Sequence, residues 1–374
     1  MSKKGRVLVA MSGGVDSSVS AVMLKEQGYE VIGITMKTWD YSSSGGNSKK
    51  ETGCCTLESM NDARQIAIKY GFKHFIVDIR DEFGDWVIDR FVEEYLAGRT
   101  PNPCVLCNTH IKWAALMRRA GDLGCDYIAT GHYANVREEK GRYVISRGRD
   151  HNKDQSYALW GVEQQYLGRT IFPLGSYHKP EIRKMAEDYG LVNVAHKKDS
   201  YEICFVPDNN YRRFLKDRVP GLKEDVEGGL FVDKDGNVVG KHKGYPFYTI
   251  GQRRGLHLAM GKPVYVTKIN PENNVITVGE EEDLINTTCT AKALNLAKYD
   301  HIPEDEMLVT GAIRYNDDGA PGFLTQTSDD EMTIRFPEGR SAITPGQALV
   351  CYEGEDLLAG GWIHKVANDP ELIT

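Results

Sequence analysis

The sequence predicts an α/β protein with a doubly wound parallel sheet in its N-terminal half and a β-rich C-terminal part. In the N-terminal half, short apolar runs alternate with segments whose apolar residues recur every three or four positions, as in strands that alternate with helices. The helical signals fade after Cys204, where glycine-punctuated strand patterns replace them. The apolar run at residues 7–11 leads directly into a glycine-rich turn and a helical pattern, which is how such sheets begin.

The N-terminal elements follow from this apolar periodicity. Predicted strands cover residues 7–11, 30–36, 74–79 and 126–129. Predicted helices cover residues 19–27, 57–70, 82–96, 111–120, 163–167 and 180–189, the last with Pro180 at its start. Residues 41–53 are small and polar without any period, so we expect a mobile segment there, with a lid as one interpretation.

The C-terminal elements are shorter. We expect a helix at residues 211–216, a hairpin that joins residues 230–232 to 238–239, and a second hairpin that joins residues 264–269 to 275–278. Residues 199–206, which contain Cys204, are interpreted as a strand-like apolar run. Shifts in pattern divide the chain into predicted domains at residues 1–207, 208–282 and 283–374.

Composition argues against a membrane-spanning or secreted protein. The chain has 374 residues, of which 41% are apolar, and its longest apolar runs are about five residues. A bilayer span needs roughly 18. Eight cysteines with a single CxxC pair do not resemble a secreted disulfide framework. We therefore expect a cytoplasmic protein with no membrane partner.

Charge is unevenly distributed along the chain. The net charge of −7 argues against a protein that coats nucleic acid indiscriminately. Residues 137–153 nevertheless carry six Lys or Arg against three acids, and residues 241–254 carry four against none. Both stretches are candidates for contact with phosphates, and a solvated surface is the alternative interpretation.

The turn Ser12-Gly13-Gly14-Val15-Asp16-Ser17-Ser18 is a predicted phosphate-binding site. Its glycines admit positive φ and let backbone N–H groups approach an anion beside the positive end of the next helix. It matches neither the P-loop nor the dinucleotide fingerprint, and it contains no lysine. A carboxylate in such a turn is well placed to hold Mg²⁺ beside phosphate, which makes Asp16 a candidate ligand.

This string resembles the pyrophosphate loop (PP-loop) of the ATP pyrophosphatases, which activate a carbonyl or carboxyl oxygen with AMP. The resemblance implies that the turn binds ATP. An ordinary strand-to-helix turn rich in small residues is the alternative. The residues predicted to bind ATP are Ala10, Met11, Ser12, Gly13, Gly14, Val15, Asp16 and Ser17, with Met36 and Gly131 from neighbouring strand ends.

Two thiols stand close to the start of a predicted helix. Pro101 and Pro103 stiffen the approach to Cys104 and Cys107, and the helix is expected to begin near Thr109. A helix N-terminus stabilises a thiolate, so this position predicts an activated thiol, with Cys107 the better placed. A structural metal half-site and a pair of buried thiols are the alternatives, although no second CxxC completes a four-cysteine zinc site.

Over nearly the whole chain, the order of such strings is similar to that in bacterial tRNA-specific 2-thiouridylases. The matching strings are residues 12–18, residues 101–108, Thr130-Gly131-His132-Tyr133, Lys153-Asp154-Gln155, Ile203-Cys204-Phe205, residues 251–256, Arg314-Tyr315 and Pro345-Gly346-Gln347. The resemblance implies a PP-loop domain, a small central domain and a C-terminal β-barrel. It also implies that ATP adenylates the C2 oxygen of the wobble uridine of tRNA and that a cysteine persulfide then supplies sulfur, releasing AMP and pyrophosphate.

The same resemblance implies roles for three cysteines. Cys204 would carry a persulfide received from a cysteine desulfurase or a sulfur-relay protein, and Cys107 would free the sulfur and leave a Cys107–Cys204 disulfide. Direct delivery of sulfide is a variant. Family members often carry aspartate where Cys104 stands, so Cys104 is interpreted either as an assisting thiol or, with Cys107 and Cys204, as a ligand of an iron–sulfur cluster.

The family motifs also imply contacts with tRNA. Residues that would border the target base are Asn102, Pro103, Cys104 and His132, although His132 could equally be a core histidine. Residues that would contact the anticodon stem are Lys153, Asp154 and Gln155. Residues that would reach the RNA from the β-rich part are Arg314, Tyr315 and Gln347, of which Arg and Tyr can bind phosphate and stack on bases.

Two other functions fit parts of the sequence. An ATP pyrophosphatase that delivers nitrogen, like the argininosuccinate synthetases, would use the glycine turn but would leave Cys107 and Cys204 without a role. A non-enzymatic RNA-binding protein that responds to nucleotide or redox state would use the glycine turn to bind ATP and the cysteines to sense redox state, and it would catalyse no reaction.

Overall fold

A computed structural model gives the fold and describes residues 4–39, 56–197 and 203–368. The predicted mobile segment at residues 41–53 lies outside these ranges. The chain forms two compact units. The first comprises Met1–Val87, Cys104–Asn210 and Glu355–Leu357, and the second comprises Ile88–Pro103, Tyr211–Gly354 and Leu358–Thr374.

The N-terminal half supplies the elements of the first unit, with one helix, α4, that belongs to the second. The strands are β1 (Arg6–Ala10), β2 (Glu30–Lys37), β3 (Lys73–Asp78), β4 (Tyr127–Ala129), β5 (Ala134–Glu139), β6 (Arg142–Arg147) and β7 (Thr170–Ile171). The helices are α1 (Val15–Glu26), α2 (Leu57–Tyr70), α3 (Arg80–Phe83), α4 (Asp89–Leu96), α5 (Pro103–Leu106), α6 (Trp113–Asp122), α7 (Gln164–Leu167), α8 (Lys179–Asp188) and α9 (Val192–Ala195).

A five-stranded parallel sheet organises this unit in the order β3-β2-β1-β4-β7. The central strand β1 is buried on both faces, because Val7 and Val9 pack in the core shared with α1 and α8 while Leu8 points to the opposite face. The strand order reverses between β1 and β4. In doubly wound sheets this reversal marks the crevice where ligands bind.

Several predicted helices begin earlier or are divided. The region predicted as one helix at residues 82–96 consists of α3, a π-helical turn at Gly84–Ile88 and α4. The helix expected to begin near Thr109 begins at Pro103, continues through a π-helical segment at Cys107–Lys112 and ends with α6. Pro103 is well suited to this start because proline has no N–H to leave unsatisfied.

Two further predictions differ from the structure. The hairpin of β5 and β6 was not predicted, because its exposed positions carry many charges and its turn, Lys140-Gly141, contains only one glycine. Both turn residues have positive φ, as a two-residue hairpin requires. Residues 203–206 form a turn rather than a strand, closed by the Val206 N–H, which donates to the Ile203 carbonyl (2.9 Å).

The second unit contains the C-terminal elements. Its helices α10 (Tyr211–Arg218) and α11 (Leu222–Val226) precede the sheet of β8 (Leu230–Val232), β9 (Val238–Lys241), β10 (Tyr265–Asn270) and β11 (Val275–Gly279), and both predicted hairpins are present. Helix α4 packs here, because Tyr95 stacks on Tyr211 with ring centroids 4.7 Å apart and Phe91 contacts Phe214.

A closed barrel completes the second unit. Its strands are β12 (Ile285–Leu296), β13 (Met307–Ala312), β14 (Ala320–Ser328), β15 (Glu331–Ser341), β16 (Ala348–Glu353) and β17 (Asp356–Ala367). The barrel closes because β12 pairs antiparallel with both β15 and β17. The predicted fold class is confirmed, whereas the exact domain boundaries remain a prediction. Within the described ranges, every helix is too short or too polar to cross a membrane.

We predict that Gly13→Ala lowers the thermal unfolding midpoint of the chain more than Gly28→Ala does. Both glycines have positive φ, +70° and +93°, so both substitutions carry backbone strain. A Cβ at Gly13 would lie 2.0 Å from the Ser59 carbonyl oxygen, whereas a Cβ at Gly28 meets no atom within 4 Å. The steric overlap should add ~1–3 kcal/mol of destabilisation. Equal shifts in parallel thermal melts would contradict the close packing of this turn.

Candidate active site

Hydrogen bonds of its own side chains stabilise the glycine turn after β1. The Ser12 N–H donates to Ser17 Oγ (3.1 Å), and Ser18 Oγ donates to the Gly14 carbonyl (2.7 Å). Helix α1 begins at Val15, and no side chain of the described residues caps its N-terminus. The first N–H groups of α1 therefore remain available to an anion, as the sequence predicts for a phosphate site.

A lysine from a distant segment lies at this turn. Lys179 Nζ donates to both carboxylate oxygens of Asp16, at 2.9 and 2.7 Å, and Tyr133 Oη donates to Asp16 Oδ1 (2.7 Å). The Lys179 side chain is only 8% exposed. A buried ammonium needs such a partner. The site therefore contains a cation, contrary to the sequence interpretation that this turn functions without lysine.

Gly131 brings the end of β4 against the same turn. A Cβ at Gly131 would lie 2.8 Å from the Ser17 backbone nitrogen, so only glycine permits this approach. Ala10 aligns with Ile34 of β2, which places Met36 further along the carboxyl end of β2, at the same edge of the sheet. The predicted ATP-binding residues therefore lie along one edge, next to the point where the strand order reverses.

Cys104 lies in the first turn of α5. Its thiol retains solvent-accessible surface, yet the surrounding protein atoms desolvate it and raise its pKa, while the positive charge of Lys112 acts in the opposite direction. A side chain that is both accessible and desolvated lines a recess. The expectation that helix position activates this pair of thiols is therefore wrong for Cys104, because desolvation outweighs the favourable charges.

His132 lines the same neighbourhood. Burial and the Lys112 charge hold its pKa well below the usual value, so the imidazole is neutral. Its Nδ1 lies 2.7 Å from Thr130 Oγ1, and its ring contacts Trp113 with centroids 5.6 Å apart. The Lys112 charge lowers the pKa of both Cys104 and His132, so Lys112 lies near both side chains. Asn108 positions Lys112 through a hydrogen bond of 2.7 Å.

The neighbouring residue Phe205 fixes the position of Cys204 in the fold. The Phe205 ring is fully buried and packs against Phe83 and Trp39, with centroids 5.9 and 6.4 Å away. Trp39 follows β2, which is parallel to β1 and hydrogen-bonded to it. The carboxyl ends of neighbouring parallel strands lie at one edge, so Cys204 is anchored at the same edge of the sheet as the glycine turn.

The three predicted active-site cysteines do not form a metal centre. Cys104, Cys107 and Cys204 are not joined in any disulfide. Within the described ranges, no three His, Cys, Asp or Glu side chains are arranged to hold a metal ion. The iron–sulfur interpretation therefore lacks a ligand set. Asp16 has carboxylate oxygens suited to Mg²⁺, and any other ligands of such an ion would have to be phosphate and water oxygens.

Two of the predicted contacts with the anticodon stem bind the chain itself. Asp154 accepts hydrogen bonds from the Gly148 N–H (2.8 Å) and Ser156 Oγ (2.7 Å), and burial raises its pKa. Gln155 Oε1 accepts from the Tyr133 N–H (3.1 Å). Both side chains therefore brace the segment after β6. Lys153 is half-buried beside them.

Gln347 has a similar internal role. Its Nε2 donates to the carbonyls of Thr100 and Pro101, at 3.0 and 3.1 Å. The bonds fix the backbone directly before Asn102 and Pro103, so Gln347 holds this segment, while its contact with RNA stays a prediction. Asn102 is half-buried and Pro103 is buried.

Arg314 and Tyr315 are exposed on a turn after β13, not within a strand. Asp317 braces this turn by accepting a hydrogen bond from the Ile313 N–H (2.8 Å). Tyr315 is 45% exposed. Both side chains are therefore presented to solvent from an ordered loop.

The two basic stretches differ in their charge pairing. Arg137 binds both carboxylate oxygens of Asp356, at 2.7 and 2.8 Å, so much of its charge is neutralised. In the second stretch the cations are exposed, and no acidic partner is found for them among the described residues; these cations are Lys241, Lys243, Arg253 and Arg254. Gln252 orders the last part of this stretch by donating to the Arg254 carbonyl (2.9 Å).

Sequence reasoning missed three polar groups at the site. Lys179 was visible only as the residue before Pro180 at a helix start. Tyr133 was visible as part of a motif, but not as a hydrogen-bond donor to Asp16. Lys112 stands in the predicted helix with no pattern to set it apart, because its partners become neighbours only through the fold.

The parallel sheet and its glycine turn define the first unit as a HUP-type nucleotide-binding domain. A family model described as "tRNA methyl transferase HUP domain" matches residues 5–208. Models described as "tRNA methyl transferase PRC-barrel domain" and "Aminomethyltransferase beta-barrel domain" match residues 212–280 and 286–363.

Relatives of similar length narrow this class to one family. The chain is 67% identical to the tRNA-specific 2-thiouridylase MnmA of Salinibacter ruber, over 98% of this chain and 96% of that protein. It is 62% identical to the protein of the same name from Cytophaga hutchinsonii, over 97% of this chain and 98% of the relative. The chain belongs to the family of tRNA-specific 2-thiouridylases.

We predict that Lys179→Met weakens ATP binding about tenfold or more, because the variant lacks a buried, charge-assisted hydrogen-bond donor at the turn. Titration calorimetry with ATP and Mg²⁺ measures the affinity. Lys298→Met is the matched control, since it breaks another largely buried lysine–carboxylate pair, with Glu353, in the second unit. Equal decreases of affinity in both variants would contradict a role for Lys179 at the phosphate site.

Proposed function

We propose that the chain is an ATP-dependent tRNA-uridine 2-sulfurtransferase that replaces the C2 oxygen of the wobble uridine with sulfur. The observation that carries the proposal is that the glycine turn and the turn that bears Cys204 lie at one edge of the sheet. Membership of the 2-thiouridylase family supports the same reaction. A transfer of nitrogen would explain the turn but not the thiols.

In the first step, the uridine C2 oxygen attacks the α-phosphate of ATP and pyrophosphate leaves. The α1 N-terminus and Lys179 would hold the phosphates. Lys179 would share its hydrogen bonds between the Asp16 carboxylate and the phosphate oxygens of the nucleotide. The resulting AMP ester makes a poor leaving group into a good one. Where Mg²⁺ is bound, Asp16 would be its protein ligand, and the ion would neutralise phosphate charge.

The recess of Cys104, His132 and Lys112 suits the target base. Two of its titratable groups are neutral in this environment, so Lys112 is left as the charged group beside the uridine. Electron density that moves onto the C2 oxygen or the ring nitrogen during these steps would be stabilised by this ammonium. The neutral His132 can donate or accept one hydrogen bond at the edge of the base.

In the second step, the terminal sulfur of a Cys204 persulfide attacks C2, and AMP departs with the oxygen. The Cys107 thiolate then attacks the Cys204 sulfur, which breaks the S–S bond, leaves sulfur on the uridine and forms a Cys107–Cys204 disulfide. An external thiol reductant must supply two electrons before the next turnover. In the variant mechanism, Cys107 attacks the persulfide first, and the released sulfide attacks C2.

Three partners follow from this chemistry. The substrate is a tRNA with a wobble uridine, the sulfur donor is a cysteine desulfurase or a sulfur-relay protein, and the reductant is a thiol. A reducing compartment keeps the cycle running, which supports the prediction of a cytoplasmic protein. The descriptions of two family models mention methyl transfer, a reaction that would require a methyl donor. Sulfur transfer instead gives the thiols a direct role.

We expect Cys204→Ser to abolish sulfur transfer while tRNA-dependent release of pyrophosphate continues, because adenylation precedes the thiol step. Mass spectrometry of tRNA nucleosides and a pyrophosphate assay provide the two readouts. Cys125→Ser is the control, since burial raises the pKa of Cys125 to about 11 and keeps it protonated. Full thiolation by Cys204→Ser would refute the persulfide assignment.

We also expect Arg253→Gln combined with Arg254→Gln to weaken tRNA binding and to reduce its salt dependence, by about one unit of slope for each phosphate that is no longer neutralised. The physical reason is that the exposed charges of this stretch remain available to phosphate. Filter binding over a range of salt concentrations measures both quantities. Arg137→Gln, whose charge is already paired with Asp356, should leave the slope unchanged; an equal decrease there would contradict the assignment.

A further inference from the structure

An exposed aromatic stack lies outside the groups used in the proposed reaction. Trp86 and His110 are parallel within 26°, with ring centroids 4.9 Å apart. The Trp86 residue is 42% exposed, and His110 is also exposed. The imidazole covers one face of the indole. Exposed aromatic rings are surfaces on which the bases of single-stranded nucleic acid stack.

Both rings project from π-helical turns. Trp86 belongs to the turn Gly84–Ile88, and His110 belongs to the segment Cys107–Lys112. A π-helical turn is less favourable than a continuous α-helix and occurs often at functional sites. Here two π-helical turns meet through one aromatic stack, which makes this position a candidate binding site.

The stack links the segment of Cys107 to a residue near the partner of Phe205. His110 follows Cys107 by three residues within one π-helical segment. Trp86 follows Phe83 by three residues, and the Phe83 ring contacts Phe205, the neighbour of Cys204. A molecule on the stack would therefore lie beside the place where the proposed sulfur transfer occurs.

We propose that Trp86 and His110 form a stacking platform for an unpaired RNA base next to the target uridine. The inference rests on the proposed function, since a uridine that enters the recess must leave its own stack. Its neighbour is then without a stacking partner. An aromatic platform provides a new partner for any base, because every base has a π-face. The platform accordingly provides affinity with little sequence preference.

Binding of anticodon stem-loop RNA, measured without ATP or sulfur donor, tests the platform. Trp86→Leu keeps an apolar side chain but removes the π-face, so we expect a Kd about tenfold higher than that of the wild-type chain. Trp86→Phe should stay within about threefold of the wild type. Val192→Ala, at another exposed apolar residue of the first unit, is the control and should leave the Kd unchanged.

A double-mutant cycle identifies the contacted base. Loop nucleotides on either side of the target uridine are replaced one at a time by abasic residues. At the contacted position, Trp86→Leu and the abasic residue should not be additive, because each removes the same stacking interaction. Full additivity at every loop position, or an unchanged Kd in Trp86→Leu, would overturn the platform.

Two further outcomes distinguish base stacking from a purely structural role of the rings and from a failure of the proposed reaction. If Trp86→Leu lowers the thiolation rate while Kd and the cycle are unchanged, the stack only positions the thiol segments and the platform is refuted. If the wild-type chain binds the RNA but does not thiolate it, the proposed reaction fails, while the binding test of the platform still gives a result. Thermal melts verify folding, and His110→Leu provides a second variant that should also raise Kd.

Discussion

The contact between the Lys179 ammonium and the Asp16 carboxylate sets the geometry of the nucleotide site. It joins the start of α8 to the first turn of α1, and Tyr133 ties the end of β4 to the same carboxylate. Three segments that are far apart in the chain therefore meet at one turn. A buried lysine is tolerated only with such a partner, so the contact constrains the sheet, both helices and the glycine turn together. It also gives the turn a cation that can change partners when phosphate is present.

The balance between desolvation and helix position decides how the Cys104 recess works. A helix N-terminus contributes about 0.3–1 kcal/mol to a nearby anion, which corresponds to less than one pKa unit. Removal of water from a thiolate costs more than this, and the pKa of Cys104 is therefore raised. The same desolvation keeps His132 neutral. Lys112, positioned by Asn108, is consequently the positive charge beside two neutral groups.

Periodicity was sufficient to predict the strands β1 to β4 of the parallel sheet and most of the longer helices around it, because each buried strand and each amphipathic helix has its own local pattern. Periodicity failed where contacts distant in the sequence determine the local structure. The π-helical turns beside Trp86 and His110 look like ordinary helix, and the short apolar run at residues 203–206 forms a turn because Phe205 has its own buried partners. At the site, the residues of the glycine turn were predictable from their spacing. Lys179 was not, since 163 positions separate it from Asp16.

The predicted RNA contacts divide into two kinds once their partners are known. Asp154, Gln155 and Gln347 make hydrogen bonds to the chain and hold segments in place, and their contact with RNA stays a prediction. Arg314 and the cations of residues 241–254 remain exposed on ordered loops. This division reconciles a net charge of −7 with a polyanionic substrate. Acids pair with many of the cations elsewhere, as Asp356 does with Arg137, whereas under the proposed function the exposed cations of residues 241–254 would bind phosphate and release counterions. In this proposal, the affinity for RNA depends on the positions of the cations that have no acidic partner among the described residues. The negative net charge of the chain does not prevent RNA binding.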